Sequence, residues 1–184
     1  TTNKIKKLLK SRKEIFKKCI FVKNNKNKGF AKSVRKGFNL ASGDILLEIP
    51  GDGEALLSEI LPKIIRKSNS FDVIFFQRKN IYSRPLIRII ISYIFRIVVS
   101  LIFNTKLKDT NGVLAIKKRN LHELDIVSNS FFLNAEILSK AIHLEYHISF
   151  DYFSLNSREK YKSTSLNFSQ FILLLKDVLK TIDF

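Results

Sequence analysis

The chain reads as an α/β layered domain with a largely parallel sheet, and three observations predict this. Helical and strand patterns alternate through the first eighty residues. The strand candidates are unbroken apolar runs, as in strands covered on both faces. One such run, GDILLEI, leads into a glycine-flexed acidic turn, PGDGE, where open α/β sheets bind their ligands. With 184 residues, 45% hydrophobic and 27% charged, the chain supports one sizeable core and is too apolar to stay disordered.

Thr2 to Lys18 reads as an amphipathic helix with Ile5, Leu8, Leu9 and Phe16 on one side and lysines around the rest. CIFVK follows as a short buried strand, and NNKNKG as a polar turn. FAKSVRKGFNLA has helical spacing at Phe30, Val34, Phe38 and Ala41. GDILLEI reads as a central strand, EALLSEILPKIIRK as a helix containing Pro62, and FDVIFFQR as a third strand. Residues 84–104, RPLIRIIISYIFRIVVSLIFN, are apolar almost all round but carry Arg84, Arg88 and Arg96. An arginine in mid-bilayer costs several kcal/mol, so a helix or helix pair on the domain or at a membrane interface is expected, not a span. TNGVLAIKKRNL is a strand and then a turn or helix, FLNAEILSKAIHLEY a helix, and HISFDYFSL a strand. A basic, hydroxyl-rich loop, NSREKYKSTSLN, precedes the terminal helix FSQFILLLKDVLKTIDF. Its apolar residues form one broad face that serves as core or meets a membrane.

Charge narrows the partners. Thirty-three Lys and Arg against sixteen Asp and Glu give +17, which suits anionic partners such as phosphorylated substrates or a membrane surface. The basic residues do not interleave with aromatics in an RNA-binding pattern, and no helix-turn-helix is evident, so nucleic acid is not the expected partner. Cys19, the single cysteine, excludes an intrachain disulfide and a cysteine-based zinc site, and is read as a buried strand residue. The three histidines are read as isolated surface or core residues.

The acidic turn carries the candidate chemistry. Asp52 and Glu54, two apart and each preceded by a glycine (Gly51 and Gly53), can converge on one hard cation such as Mg²⁺ or Mn²⁺. A divalent ion on a diphosphate would stabilise the charge developing on a leaving nucleotide. The competing assignment makes the same acids caps of the next helix. Arg78 closes a strand, Arg88 lies one helix further on, and Arg158, Lys162 and Ser163 lie in the basic loop. Guanidinium, ammonium and hydroxyl groups of this kind suit phosphate oxygens. Asp109 precedes another strand, and Glu136 stands inside an apolar helix. Such an acid pairs with a buried base or backbone donor, or acts as a functional acid.

The order of these stretches resembles family 2 glycosyltransferases of the polyprenyl-phosphate type, the dolichol-phosphate mannosyltransferase-like enzymes. NKGFAKSVRKGFNLASGD resembles their N-x-G-x-x-x-A-x-x-x-G-x-x-x-A-x-G-D stretch. PGDGE stands in the place of D-x-D-x-Q, QRK of the strand-end S-R, and DTNGVLAIKK of D-x-x-S-G-F with a basic pair. FLNAEILSKA and REKYKSTSL match two further motifs, and the likeness runs from about Ile20 to Leu166. Pro50 occupies the place of the first metal aspartate, Asn111 that of the usual serine, and Tyr161 that of the basic-loop glycine. The family's leading P-x-Y-N-E and V-D-D-G-S motifs are not in the sequence, so the domain is expected to be N-terminally incomplete.

The resemblance implies a GT-A fold, Rossmann-like, with a mostly parallel sheet flanked by helices and lacking its first strands. Residues 1–166 would be the partial transferase domain and 167–184 a C-terminal amphipathic helix. It implies an inverting, metal-assisted transfer of a sugar from a nucleotide-diphosphate sugar to a polyprenyl phosphate or related acceptor. The protein would sit peripherally on the cytoplasmic face of the cell membrane. Asp52 would hold Mg²⁺ or Mn²⁺ with Glu54 as helper, and Asp109 would orient the sugar or acceptor. Arg78, Arg88, Arg158, Lys162 and Ser163 would bind phosphates. The alternative is a non-catalytic membrane-associated remnant or scaffold, with a basic nucleic-acid-binding module behind it.

Overall fold

The computed structural model describes residues 19–79, 86–102, 112–156 and 168–181. In chain order these form α1 (Phe30–Leu40), β1 (Ile45–Leu47), α2 (Leu57–Lys67), β2 (Val73–Arg78) and α3 (Leu86–Ile102). They continue with β3 (Val113–Lys117), α4 (Lys118–Glu123), α5 (Leu133–His143), β4 (Ile148–Phe153) and α6 (Phe168–Thr181).

The strands make one open four-stranded sheet in the order β1-β3-β2-β4. β3 pairs antiparallel with both β1 and β2, with Leu47 opposite Ala115 and Phe76 opposite Val113. β4 pairs parallel with β2, with Arg78 opposite Phe153. The expected largely parallel sheet is therefore corrected: two of its three pairings are antiparallel. β1, β2 and β4 nevertheless share one direction, and β3 alone runs back between β1 and β2. An apolar run reads the same whichever way its strand points. Direction is set by the path of the connecting chain, which apolar periodicity does not encode.

Side chains alternate across this sheet. Leu46, Val73, Phe75, Leu114 and Ile116 face one core with Ala31 and Phe38 of α1, Val99 of α3, Leu133, Ile137 and Leu138 of α5, and Val178 of α6. Ile74, Phe76, Val113, Ala115 and Phe153 face the other core with Ile60 and Ile64 of α2. Each fully buried side chain of this size stabilises by about 1.5–3 kcal/mol. Covering on both faces explains why β2 is buried at all six positions.

Two local expectations change, and two are narrowed. Residues 19–23 form no strand; Cys19 is exposed and Ile20 is 69% exposed. An apolar run becomes a strand only where a neighbour supplies the ladder hydrogen bonds, and apolar composition alone does not provide them. β1 is three residues long and lies at the edge of the described sheet, not at its centre. α3 is a helix of 17 residues, and no helix among the described residues is long and apolar enough to cross a membrane. On α6, Val178 is in the core while Ile172, Leu175 and Leu179 are exposed, so its apolar surface serves the core only in part. The expected helix over residues 2–18 lies outside the described residues.

Candidate functional site at the carboxyl-terminal rim of the sheet

Because β3 alone is reversed, the carboxyl ends of β1, β2 and β4 and the amino end of β3 share one rim. The acidic turn leaves β1 there. Gly53 adopts a φ of 77°, a left-handed conformation that favours glycine. The Glu54 N–H donates to Asp52 Oδ1 at 3.1 Å, which closes the turn. The Glu54 carbonyl accepts the Asn156 N–H at 3.0 Å, fastening the turn to the segment that follows β4. Gly51, Asp52 and Gly53 are exposed. The capping alternative does not hold: the N-cap of α2 is Leu56, with no side-chain cap, and the acid of its first turn is Glu59.

Arg78 ends β2 at this rim and is only 7% exposed. The next N–H, of Lys79, continues the ladder to the Phe153 carbonyl at 3.0 Å. Gly112 opens the approach to β3. A Cβ there would stand 2.0 Å from the Phe76 carbonyl oxygen and 2.9 Å from the Phe75 ring, so only glycine fits. This gives the glycine of the DTNGV stretch a steric reason. Arg88 lies within α3. Asp109, Arg158, Lys162 and Ser163 fall outside the described residues. Of the expected site, the structure therefore brings Asp52, Glu54 and Arg78 to one rim.

Two residues at this rim were not singled out from the sequence. Glu48 follows β1, and its N–H donates to the Leu114 carbonyl at 3.3 Å. Strand alternation puts its side chain on the Leu46 face, toward α5. There it lies near Asn134, a residue 6% exposed in the first turn of α5. Burial pushes the Glu48 carboxyl above its ordinary range; Asn134 acts to lower it, and the Asp52 charge adds to the rise. Asn134 Nδ2 also donates to the Gly112 carbonyl at 3.1 Å. The available signal was polar residues inside two apolar runs, one in ILLEI and two in FFLNAEIL.

Glu136 proves to be a structural acid. It is fully buried, and its two oxygens accept the Val127 and Ser128 N–H groups at 2.9 Å each. Lys140 Nζ lies 3.1 Å from it, one helical turn on. His143 and His147 are four apart, but α5 ends at His143, so no helix face brings them together. Among the described residues no group of three or more His, Cys, Asp or Glu is placed to hold a metal. The donor set at the turn still suits Mg²⁺, which commonly takes one or two carboxylates and completes its shell with water and substrate phosphates. No protein-family profile matches the chain, and no curated protein sequence matches it either.

Proposed function

We propose that this chain is a GT-A-type glycosyltransferase domain. It would move a sugar from a nucleotide-diphosphate sugar to a polyprenyl phosphate or a related acceptor. The observation that carries the reading is the shared rim: an exposed acidic turn after β1, a buried arginine ending β2, and a glycine-only approach to β3. In open α/β sheets such rims bind ligands. The ordered set of motifs in the sequence supports the same assignment.

In the proposed reaction an acceptor phosphate oxygen forms a bond to the anomeric carbon as the bond to the nucleoside diphosphate breaks. The attacking oxygen is already ionised at neutral pH, so positioning and charge stabilisation carry the step without a strong base. Asp52 and Glu54 would hold Mg²⁺ or Mn²⁺, which when bound neutralises charge on the leaving diphosphate. Arg78 would face phosphate oxygens. Asp109, Arg88, Arg158, Lys162 and Ser163 keep the roles that the resemblance implies.

On α3, Ile90, Tyr93, Ile94, Ile97 and Leu101 are all exposed, with Arg96 stacked 4.9 Å over the Tyr93 ring. An apolar stripe on a chain of net charge +17 supports a peripheral position on an anionic bilayer, and hence a lipid acceptor. Titration calorimetry of UDP- and GDP-sugars with Mn²⁺ tests the reading. Binding that requires both Mn²⁺ and Asp52, and is lost in Asp52→Ala, is the expected result. A folded chain that binds neither donor would overturn it in favour of a non-catalytic scaffold.

A further inference from the structure

Among the described residues the outer edge of β4 is covered by side chains, not by another strand. In a parallel pair, alternate residues turn their backbone groups toward the neighbouring strand. Phe153 turns toward β2, since its carbonyl accepts the Lys79 N–H, so Tyr152 and Ser154 turn outward. The first two turns of α2 meet them there. Lys63 Nζ donates to the Tyr152 carbonyl, and the Ser154 N–H donates to Glu59 Oε2 at 3.1 Å. A third rung is made by backbone alone, where the Asn156 N–H donates to the Glu54 carbonyl at 3.0 Å. Positions 63, 59 and 54 thus meet 152, 154 and 156 in reverse order. Lys63 and Glu59 stand one helical turn apart, with Lys63 Nζ 3.6 Å from Glu59 Oε1 and 3.4 Å from Asp151 Oδ1. The last rung belongs to the acidic turn itself, because the Glu54 N–H closes that turn on Asp52.

We infer that Glu59, with Lys63 beside it, is a positioning residue for the acidic turn: by gripping Ser154 and Tyr152 the two fix the register of α2 along β4, and so the place of Asp52 and Glu54 at the rim. The ligand side of this inference rests on the transferase reading. The turn needs such a hold, since Gly51, Asp52 and Gly53 are exposed and glycine loses the most conformational freedom on ordering. One hydrogen bond at Glu54 fixes a point; a second at Glu59, five residues on, fixes a direction. The apolar contacts of α2, through Ile60 and Ile64, are non-directional and tolerate a shift along the strand. The rungs do not.

The test compares Glu59→Ala, Glu59→Gln and Lys67→Ala. Glutamine keeps an oxygen that accepts the Ser154 N–H. Lys67 is the control: it pairs with Asp151 at 2.7 Å and donates to Ser149 Oγ at 3.0 Å, so its loss weakens the contact of α2 with β4 without removing a rung. Amide hydrogen exchange on the unliganded chain reads the geometry. In Glu59→Ala, exchange at Glu54, Ser154 and Asn156 is expected to quicken about tenfold, with β2 and β3 unchanged. Glu59→Gln is expected to restore protection, and Lys67→Ala to leave these amides as in the parent. Unchanged exchange at Glu54 and Asn156 in Glu59→Ala, or equal quickening there in Lys67→Ala, would overturn the inference. Mn²⁺ alone, titrated by loss of the free ion's paramagnetic resonance signal, is then expected to bind about tenfold more weakly to Glu59→Ala and to recover in Glu59→Gln. Equal Mn²⁺ affinity in the parent and Glu59→Ala overturns it as well. If the parent chain binds no Mn²⁺, the metal reading of the turn fails, and the exchange result alone decides the positioning role.

Discussion

Two regions of this molecule take carboxylates out of water and treat them in opposite ways. At residues 127–130, four successive backbone N–H groups are accepted by two buried acids. Glu136 takes Val127 and Ser128, and Asp177 of α6 takes Asn129 and Ser130 at 2.8 and 2.7 Å. Lys140 adds a buried charge partner to Glu136 and also donates to the Leu124 and Asp125 carbonyls. At the rim, burial and the like charge of Asp52 push the Glu48 carboxyl above its ordinary range, with only Asn134 acting against them. The first region uses its acids to hold a loop and dock a terminal helix. The second leaves electrostatic cost in place beside an exposed turn. The difference separates acids whose charge the fold compensates from an acid whose charge it penalises, which a residue's position in an apolar run does not do.

The comparison breaks most sharply at Glu136. Glu136→Ala leaves two backbone N–H groups without their acceptor and a buried ammonium without its counter-charge, and is expected to cost about 3–5 kcal/mol. Urea unfolding measures it, and a loss near zero would erase the distinction between the two regions.

A smaller effect is expected at the opposite rim, where Asp72 pairs with Lys117 at 3.2 Å and accepts the His147 N–H. Burial pushes the Asp72 carboxyl up, but the hydrogen bonds from Lys117 and His147 and their charges outweigh it, and the net shift is downward. Its stabilisation is therefore complete above the ordinary value of 3.8 and is lost as pH falls through the lowered folded value. Asp72→Asn should cost up to about 1 kcal/mol at pH 7. Chemical unfolding of both proteins across pH 2–7 (about the window in which carboxylates titrate) should show that gap closing at the acid end.

The smallest effect has the reverse sign. Glu48 has a raised folded value, so its penalty is absent below the ordinary value of 4.5 and grows as pH rises through the raised one. Glu48→Gln should consequently gain stability relative to the parent on going from acid to neutral pH. A parallel pair of stability curves would remove the electrostatic cost from the rim.

Much of this was legible in the residues. The apolar spacing of Phe30, Val34 and Phe38, the run VIFFQR and the pattern of LNAEILSKAIH each gave an element within a few positions of its observed ends. The acidic turn was legible because two glycines and two acids after a strand have few other uses. CIFVK misled because apolar composition states that a segment can be buried, and not whether a neighbour is there to bury it. Glu48 and Asn134 were missed because they lie 86 positions apart and come near each other only across a strand and a helix.

The sequence by itself determined the local structure: where helices and strands form, the glycine turn at 51–53, and the excess of positive charge. Periodicity, turn chemistry and net charge act over a few residues or over none, so they survive without a fold. Tertiary structure alone decided that β3 runs against its neighbours, that Glu136 is spent on backbone amides, and that the Asn134 amide reaches the Gly112 carbonyl. Those outcomes depend on which distant segments become neighbours, and that follows from burying both faces of one sheet at once.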